Sequence, residues 1–255
     1  MDFFASPYLA PVLGFLVGLI GSLVGMGGGF FIVPYLTLVH GFAPPLAIGT
    51  SLWLIVANSA SSTLRYGLQR QVLWRLGVVL GVATLPGAYF GAAIAGHWDV
   101  GWFQICFGVL LAAACVYAVV LSGSPRLNED PAQMRVQMGL AVVVSIVTGF
   151  VSSMFGVGGG IIHMPLMMFA FRMPARMSAA TSQWALLMTS LAGAVSSTAR
   201  GQTDWPMVLL LLAGVVMGAQ VGVWAAKRVD VKVIRRAFAV ICLVVAVEMF
   251  VKGLG

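Results

Sequence analysis

Gly25-Met-Gly-Gly-Gly-Phe-Phe-Ile-Val-Pro34 decides the fold, because it returns 131 residues later as Gly156-Val-Gly-Gly-Gly-Ile-Ile-His-Met-Pro165. Each copy is a glycine run closed by a proline and set in strongly apolar sequence. Glycine costs a helix interior about 1 kcal/mol per residue relative to alanine, and the break frees backbone N–H groups that lipid cannot satisfy. A chain that carries such a break twice reads as a duplicated membrane protein with an interrupted helix in each half. Interrupted helices inside a bilayer commonly form the binding site of a carrier.

Composition agrees. Hydrophobic residues make up 60% of the 255 residues and charged residues 8%, against about 25% charged in soluble domains. Apolar runs of about 18 or more residues recur, each able to cross a hydrocarbon core. They do not alternate as barrel strands do. The expected fold class is therefore an all-α polytopic membrane protein. The net charge of +7 does not point to nucleic acid, because Lys and Arg fall between the apolar runs, where they set orientation. The partners implied are the lipid bilayer and a small solute, with no nucleic acid; whether copies associate into a homo-oligomer is left open. Cys106, Cys115 and Cys242 lie in apolar segments without CxxC spacing and read as buried thiols. Asp2 and the absence of a basic n-region predict that the first apolar run is retained.

Hydropathy predicts helices at about 7–24, 30–40, 46–64, 74–95 and 101–121, then at about 137–155, 161–171, 178–199, 206–226 and 236–252. Between the halves, Ser122-Gly-Ser-Pro-Arg-Leu-Asn-Glu-Asp-Pro131 is a polar linker. The chain thus divides into a first membrane repeat (1–121), a cytoplasmic linker (122–136) and a second membrane repeat (137–255). The repeat extends beyond the glycine box. At the same offset Gly18 matches Gly149, Thr50-Ser51 matches Thr181-Ser182, Trp53 matches Trp184, and Gly87 and Gly91 match Gly218 and Gly222.

Loop charges give the relation between the halves. Arg65, Arg70 and Arg75 crowd one loop, whose counterpart holds only Arg200 beside Asp204. His97 and Asp99 mark the next loop, and Lys227, Arg228, Lys232, Arg235 and Arg236 its counterpart. His40–Pro45 has no Lys or Arg, whereas Arg172 and Arg176 mark its equivalent. Equivalent loops alternate in charge, so the positive-inside rule predicts inverted repeats. Inversion needs an odd number of crossings per half. Three long helices supply it if the glycine-broken segment forms a hairpin that returns to its own side. Both termini are then expected outside and the linker inside.

The helix restarting after each break directs free N–H groups and the positive end of its dipole at the break, and such an end binds anions. Two of them, brought together near the midplane, would hold a small anion without a basic side chain. The candidate substrate-binding residues are Gly27, Gly28, Gly29, Gly158, Gly159 and Gly160, with Thr50, Ser51, Asn58, Thr181, Ser182, Gln183 and His163. Simpler readings compete: small-residue helix packing for Gly18, Gly21, Gly25 and Gly29, and helix capping for the Thr-Ser pairs. Trp53 and Trp184 read as packing or interface anchors. All acidic residues except Glu248 fall in loops or termini, so no mid-membrane carboxylate is available as a relay. No nucleophile, metal or nucleotide motif accompanies them, which argues against an enzyme and gives no reason to expect a cofactor or metal.

The paired boxes, Gly25–Pro34 with Thr50-Ser51 and Gly156–Pro165 with Thr181-Ser182, resemble the sulfite exporter TauE/SafE family of membrane permeases, over nearly the whole chain. The resemblance implies a transporter in the bacterial inner membrane for sulfite, an organosulfonate or a related small organic anion. A secondary carrier is the expected function; a passive anion channel using the same constriction is the alternative. His163 and Gln183 break the symmetry of the halves.

Overall fold

The structure, a computed structural model, describes residues 10–120, 137–226, 228 and 231–254; the expected linker lies outside them. The described residues form ten α-helices. In the first half these are α1 (Ala10–Val24), α2 (Gly29–Pro34), α3 (Pro44–Leu68), α4 (Trp74–Ala95) and α5 (Val100–Val120). Their counterparts are α6 (Met138–Phe155), α7 (Gly160–Pro165), α8 (Ala175–Ala199), α9 (Trp205–Ala225) and α10 (Val231–Leu254).

Local sequence explains the boundaries. α3 opens on Pro44-Pro45, whose missing N–H groups cost nothing in a first turn. α9 opens on Asp204, which accepts from the Met207 amide at 2.8 Å. α6 closes on Gly156 in the left-handed region. α2 and α7 each run only six residues before Pro34 or Pro165, then widen into π-helical turns at Tyr35–Val39 and Leu166–Ala170. A proline cannot donate to the preceding turn and crowds its carbonyl, so the helix widens there.

α1 and α2 form a hairpin. Gly28 packs on Val17, and Phe31, Ile32 and Tyr35 flank Leu13–Ile20. At 1.5 Å per residue the described part of α1 spans roughly 22 Å, less than the ~30 Å of a hydrocarbon core. Sequence reasoning set the helix boundaries within a few residues but placed Thr50-Ser51 and Thr181-Ser182 at helix starts. They instead lie in the second turns of α3 and α8, because the prolines or Ala175 start those helices earlier.

Packing repeats under exchange of the halves. α1 runs parallel to α9: Gly214, Gly218 and Gly222 press on the backbone of Pro11, Phe15 and Leu19. α6 runs parallel to α4 in the matching way, Gly87 and Gly91 pressing on Ile146 and Phe150. These glycines serve close helix packing. α3 lies antiparallel to α8: Gly49 meets Ser197 and Leu52 meets Gly193, and the Trp53 indole donates to Thr198 at 2.8 Å. α5 lies antiparallel to α10, with Gly101 by Gly253 and the Cys115 thiol donating to the Ala239 carbonyl at 3.3 Å. Cys106, Cys115 and Cys242 are free thiols.

α4, α6 and α9 are long and apolar enough to span a bilayer by themselves. α3 and α8 run 25 residues each but carry many Ser, Thr, Asn and Gln, nearly all buried. Their polar groups face protein and not lipid, which is where a membrane protein tolerates them. Two aromatic pairs mark opposite ends of this central pair: Trp53 on Trp205 at 5.4 Å and Trp74 on Trp184 at 5.3 Å. One end gathers Arg65, which donates to Gln220, together with Tyr66, Arg176 and the end of α9. The other gathers Arg200, Gln202, Asp204 and the end of α4.

The crossed glycine breaks

The turn after α1 is built on one carbonyl. Gly21 accepts from the Met26 amide at 3.0 Å, the Gly27 amide at 3.3 Å and the Gln183 side-chain amide at 2.9 Å. Gly25, Gly27 and Gly28 have φ of 74°, 83° and 87°, the left-handed region that favours glycine. In the second half Gly156 and Gly158 repeat this at 67° and 81°, but Gly159, the counterpart of Gly28, is right-handed at −68°.

The two breaks cross in contact. A side chain on Gly29 would strike the Gly156 carbonyl and Val157, and one on Gly160 would strike the Gly25 carbonyl and Met26. Main chain therefore lies on main chain, and each restarting helix faces the carbonyl oxygens of the other break. Ile55 and Leu186, matching residues of α3 and α8, flank both Gly27 and Gly158 and fill the centre.

Hydroxyls then tie the halves reciprocally. Ser51 donates to the Gly156 carbonyl at 2.7 Å, and Ser182 donates to the Gly25 carbonyl at 2.8 Å. Asn58 donates to the Gly27 carbonyl at 3.1 Å. The second oxygens of the amides, Asn58 Oδ1 and Gln183 Oε1, are buried without a hydrogen-bond partner, as is the hydroxyl of Ser59. Uncompensated burial of such groups costs about 1–3 kcal/mol each. His163, fully buried, meets Ser145 Oγ through Nε2 at 3.1 Å, while Nδ1 has no partner.

Among the expected residues, Gly27–Gly29, Gly158–Gly160, Ser51, Ser182, Asn58 and Gln183 thus converge on the crossing, with His163 beside Gly159. Thr50 and Thr181 turn elsewhere: their hydroxyls accept from the amides of Asp204 at 3.0 Å and Leu73 at 3.1 Å, where α9 and α4 begin. They hold the residues that precede α9 and α4, and they do not cap the helices on which they sit. Sequence reasoning missed the Gly21 carbonyl and the Ile55–Leu186 pair. Only the 131-residue spacing distinguishes Ile55 and Leu186, and the Gly21 carbonyl carries no side-chain signal.

Main chain and the Ile55–Leu186 pair fill the crossing. Two cavities beside it are small: about 20 Å³ next to Leu23, Tyr66 and Met164, and about 10 Å³ next to Thr148, Ser152 and Gly159, each on the scale of a water molecule. A larger cavity of about 260 Å³ lies against the first hairpin and is lined by apolar side chains of α1, α2 and α9. No cluster of metal-ligating side chains occurs among the described residues.

The family model described as sulfite exporter TauE/SafE matches residues 10–249. The chain is 27% identical over 264 residues to a probable membrane transporter protein, YunE, of Bacillus subtilis, covering 95% of this chain and 97% of that protein. It is 26% identical over 239 residues to a probable membrane transporter protein of Methanocaldococcus jannaschii, covering 88% of each. A probable membrane transporter protein of Xylella fastidiosa is 29% identical over 240 residues, covering 92% of this chain and 91% of that protein. No solved structure matches the chain. A duplicated helical bundle crossed by two glycine breaks, matched nearly end to end by this family and by proteins named as transporters, is a membrane transporter that belongs to the sulfite exporter TauE/SafE family.

Proposed function

We propose that this transporter is a secondary carrier that binds a small oxyanion, sulfite or an organosulfonate, between the crossed glycine breaks. The observation that carries the reading is the reciprocal pair of bonds from Ser51 to the Gly156 carbonyl and from Ser182 to the Gly25 carbonyl. In the closed state these hydroxyls and the Asn58 amide are occupied by carbonyls of the breaks, and the Gln183 amide by the Gly21 carbonyl in the last turns of α1. When the hairpins separate, the same donors and the amides of Gly27–Gly29 and Gly158–Gly160 turn to a bound anion. His163 lies at the edge of that cage, and Thr50 and Thr181 anchor it to α9 and α4.

The repeats are inverted. Antiparallel packing of the equivalent helices α3 and α8, and of α5 and α10, supports this, as does the gathering of Arg65 and Arg176 at one end. By the positive-inside rule that end faces the cytoplasm, with both termini outside and the chain in the inner membrane. Main chain packed on main chain at the crossing favours alternating access over a standing pore. Exchange of ³⁵S-sulfite into proteoliposomes tests the activity: uptake above that of protein-free vesicles is expected, and equal uptake rejects the reading.

A further inference from the structure

The two halves differ where each hairpin packs on its neighbours. In the first half, Gly14, Val17, Ile32 and Val215 line the apolar cavity of about 260 Å³. At the 131-residue offset their counterparts are Ser145, Thr148 and His163, with Thr84 in place of Val215. An open apolar pocket in one half therefore corresponds to buried polar residues in the other.

His163 Nε2 meets Ser145 Oγ at 3.1 Å, and Thr84 pairs with Thr189 at 2.6 Å. Nδ1 of His163 has no partner and faces Gly159, where an added Cβ would stand 3.5 Å from it. The polar side chains beside the ring and Gly159 are Ser145, Thr148 and Ser152, all on α6 and none of them titratable. His40 and His97 are only partly buried or exposed.

We propose that His163 Nδ1 is the binding site of a coupling proton, taken up together with the anion at the second glycine break. The inference rests on the reading of the breaks as the anion site. In the tautomer that donates Nε2–H to Ser145, Nδ1 presents a lone pair to the break and repels an oxyanion. A proton from water converts that lone pair into an N–H donor and adds one positive charge beside Gly159. Charging a buried imidazole is costly without a counter-charge, and the anion supplies one, so each ligand favours the other by the same free energy. One proton and one monovalent anion then cross without net charge. The apolar cavity gives the first hairpin room to move, while the second carries the proton.

The test uses the intact protein in proteoliposomes. Tracer exchange of ³⁵S-sulfite without a gradient is measured first, and then accumulation under an inward pH gradient, both relative to protein-free vesicles. Wild type is expected to accumulate the anion by up to about tenfold per pH unit, the limit for one proton per anion. His163→Gln, which removes a group from the edge of the cage, is expected to slow exchange and, when compared at matched exchange, to lose accumulation. Ser145→Ala, which removes only the Nε2 partner, should shift the pH of half-maximal accumulation. Absence of exchange in wild type overturns the anion site itself. Exchange with equal accumulation in wild type and His163→Gln, or with none in either, overturns the proton site and leaves the anion site standing.

Discussion

Two arginines illustrate how single positions carry topology. Arg70 and Arg172 occupy the left-handed region, with φ of 55° and 54°, while their counterparts at the repeat offset are Gly201 at 71° and Gly41 at 66°. A side chain in this region costs about 1–2 kcal/mol. The chain accepts that cost at one end of the molecule and uses glycine at the other, so charge is placed there at the expense of backbone fit. Arg70→Gly and Arg172→Gly are each expected to raise stability by about 1 kcal/mol in a thermal melt of the detergent-solubilised protein, while weakening the charge bias of that face. The reciprocal hydroxyls should behave alike: Ser51→Ala or Ser182→Ala strands a buried carbonyl and is expected to cost about 1–3 kcal/mol by the same measurement. Markedly unequal losses would argue against the two bonds being equivalent.

At the scale of elements, the breaks matter because they let two backbones touch. Gly29→Ala or Gly160→Ala drives a methyl group into the facing main chain, and overpacking of this kind costs about 1–3 kcal/mol. Lowered sulfite exchange with the protein still folded is expected; unchanged exchange and melting would remove the crossing from the account. The hairpins were legible in the sequence because three glycines and a proline leave few helical alternatives, and α4, α6 and α9 because their apolar runs are uninterrupted. The destinations of Thr50 and Thr181 were not legible. Both serve helices of the other repeat, at Asp204 and Leu73, and local sequence cannot state a partner more than a hundred residues away. For the same reason Gln183 was visible as a polar residue but not as the donor to Gly21.

For the whole molecule, packing repeats between the halves: α1 on α9 recurs as α6 on α4, and α3 pairs with α8 as α5 does with α10. Inverted repeats require matching loops to face opposite compartments. Single cysteines at Arg70 and Gly201 are therefore expected to react with an impermeant maleimide from opposite sides of sealed vesicles, in a background lacking Cys106, Cys115 and Cys242. Labelling of both from one side would contradict inversion. The central claim, that the protein holds an anion by main-chain amides and hydroxyls at the crossing of its two breaks, is tested most directly with selenite, an oxyanion whose selenium scatters anomalously. In crystals grown with selenite, the expected result is a selenium peak between Gly27–Gly29 and Gly158–Gly160, within hydrogen-bonding reach of Ser51 and Ser182. Peaks confined to the arginine-rich end, with the crossing empty, would contradict it.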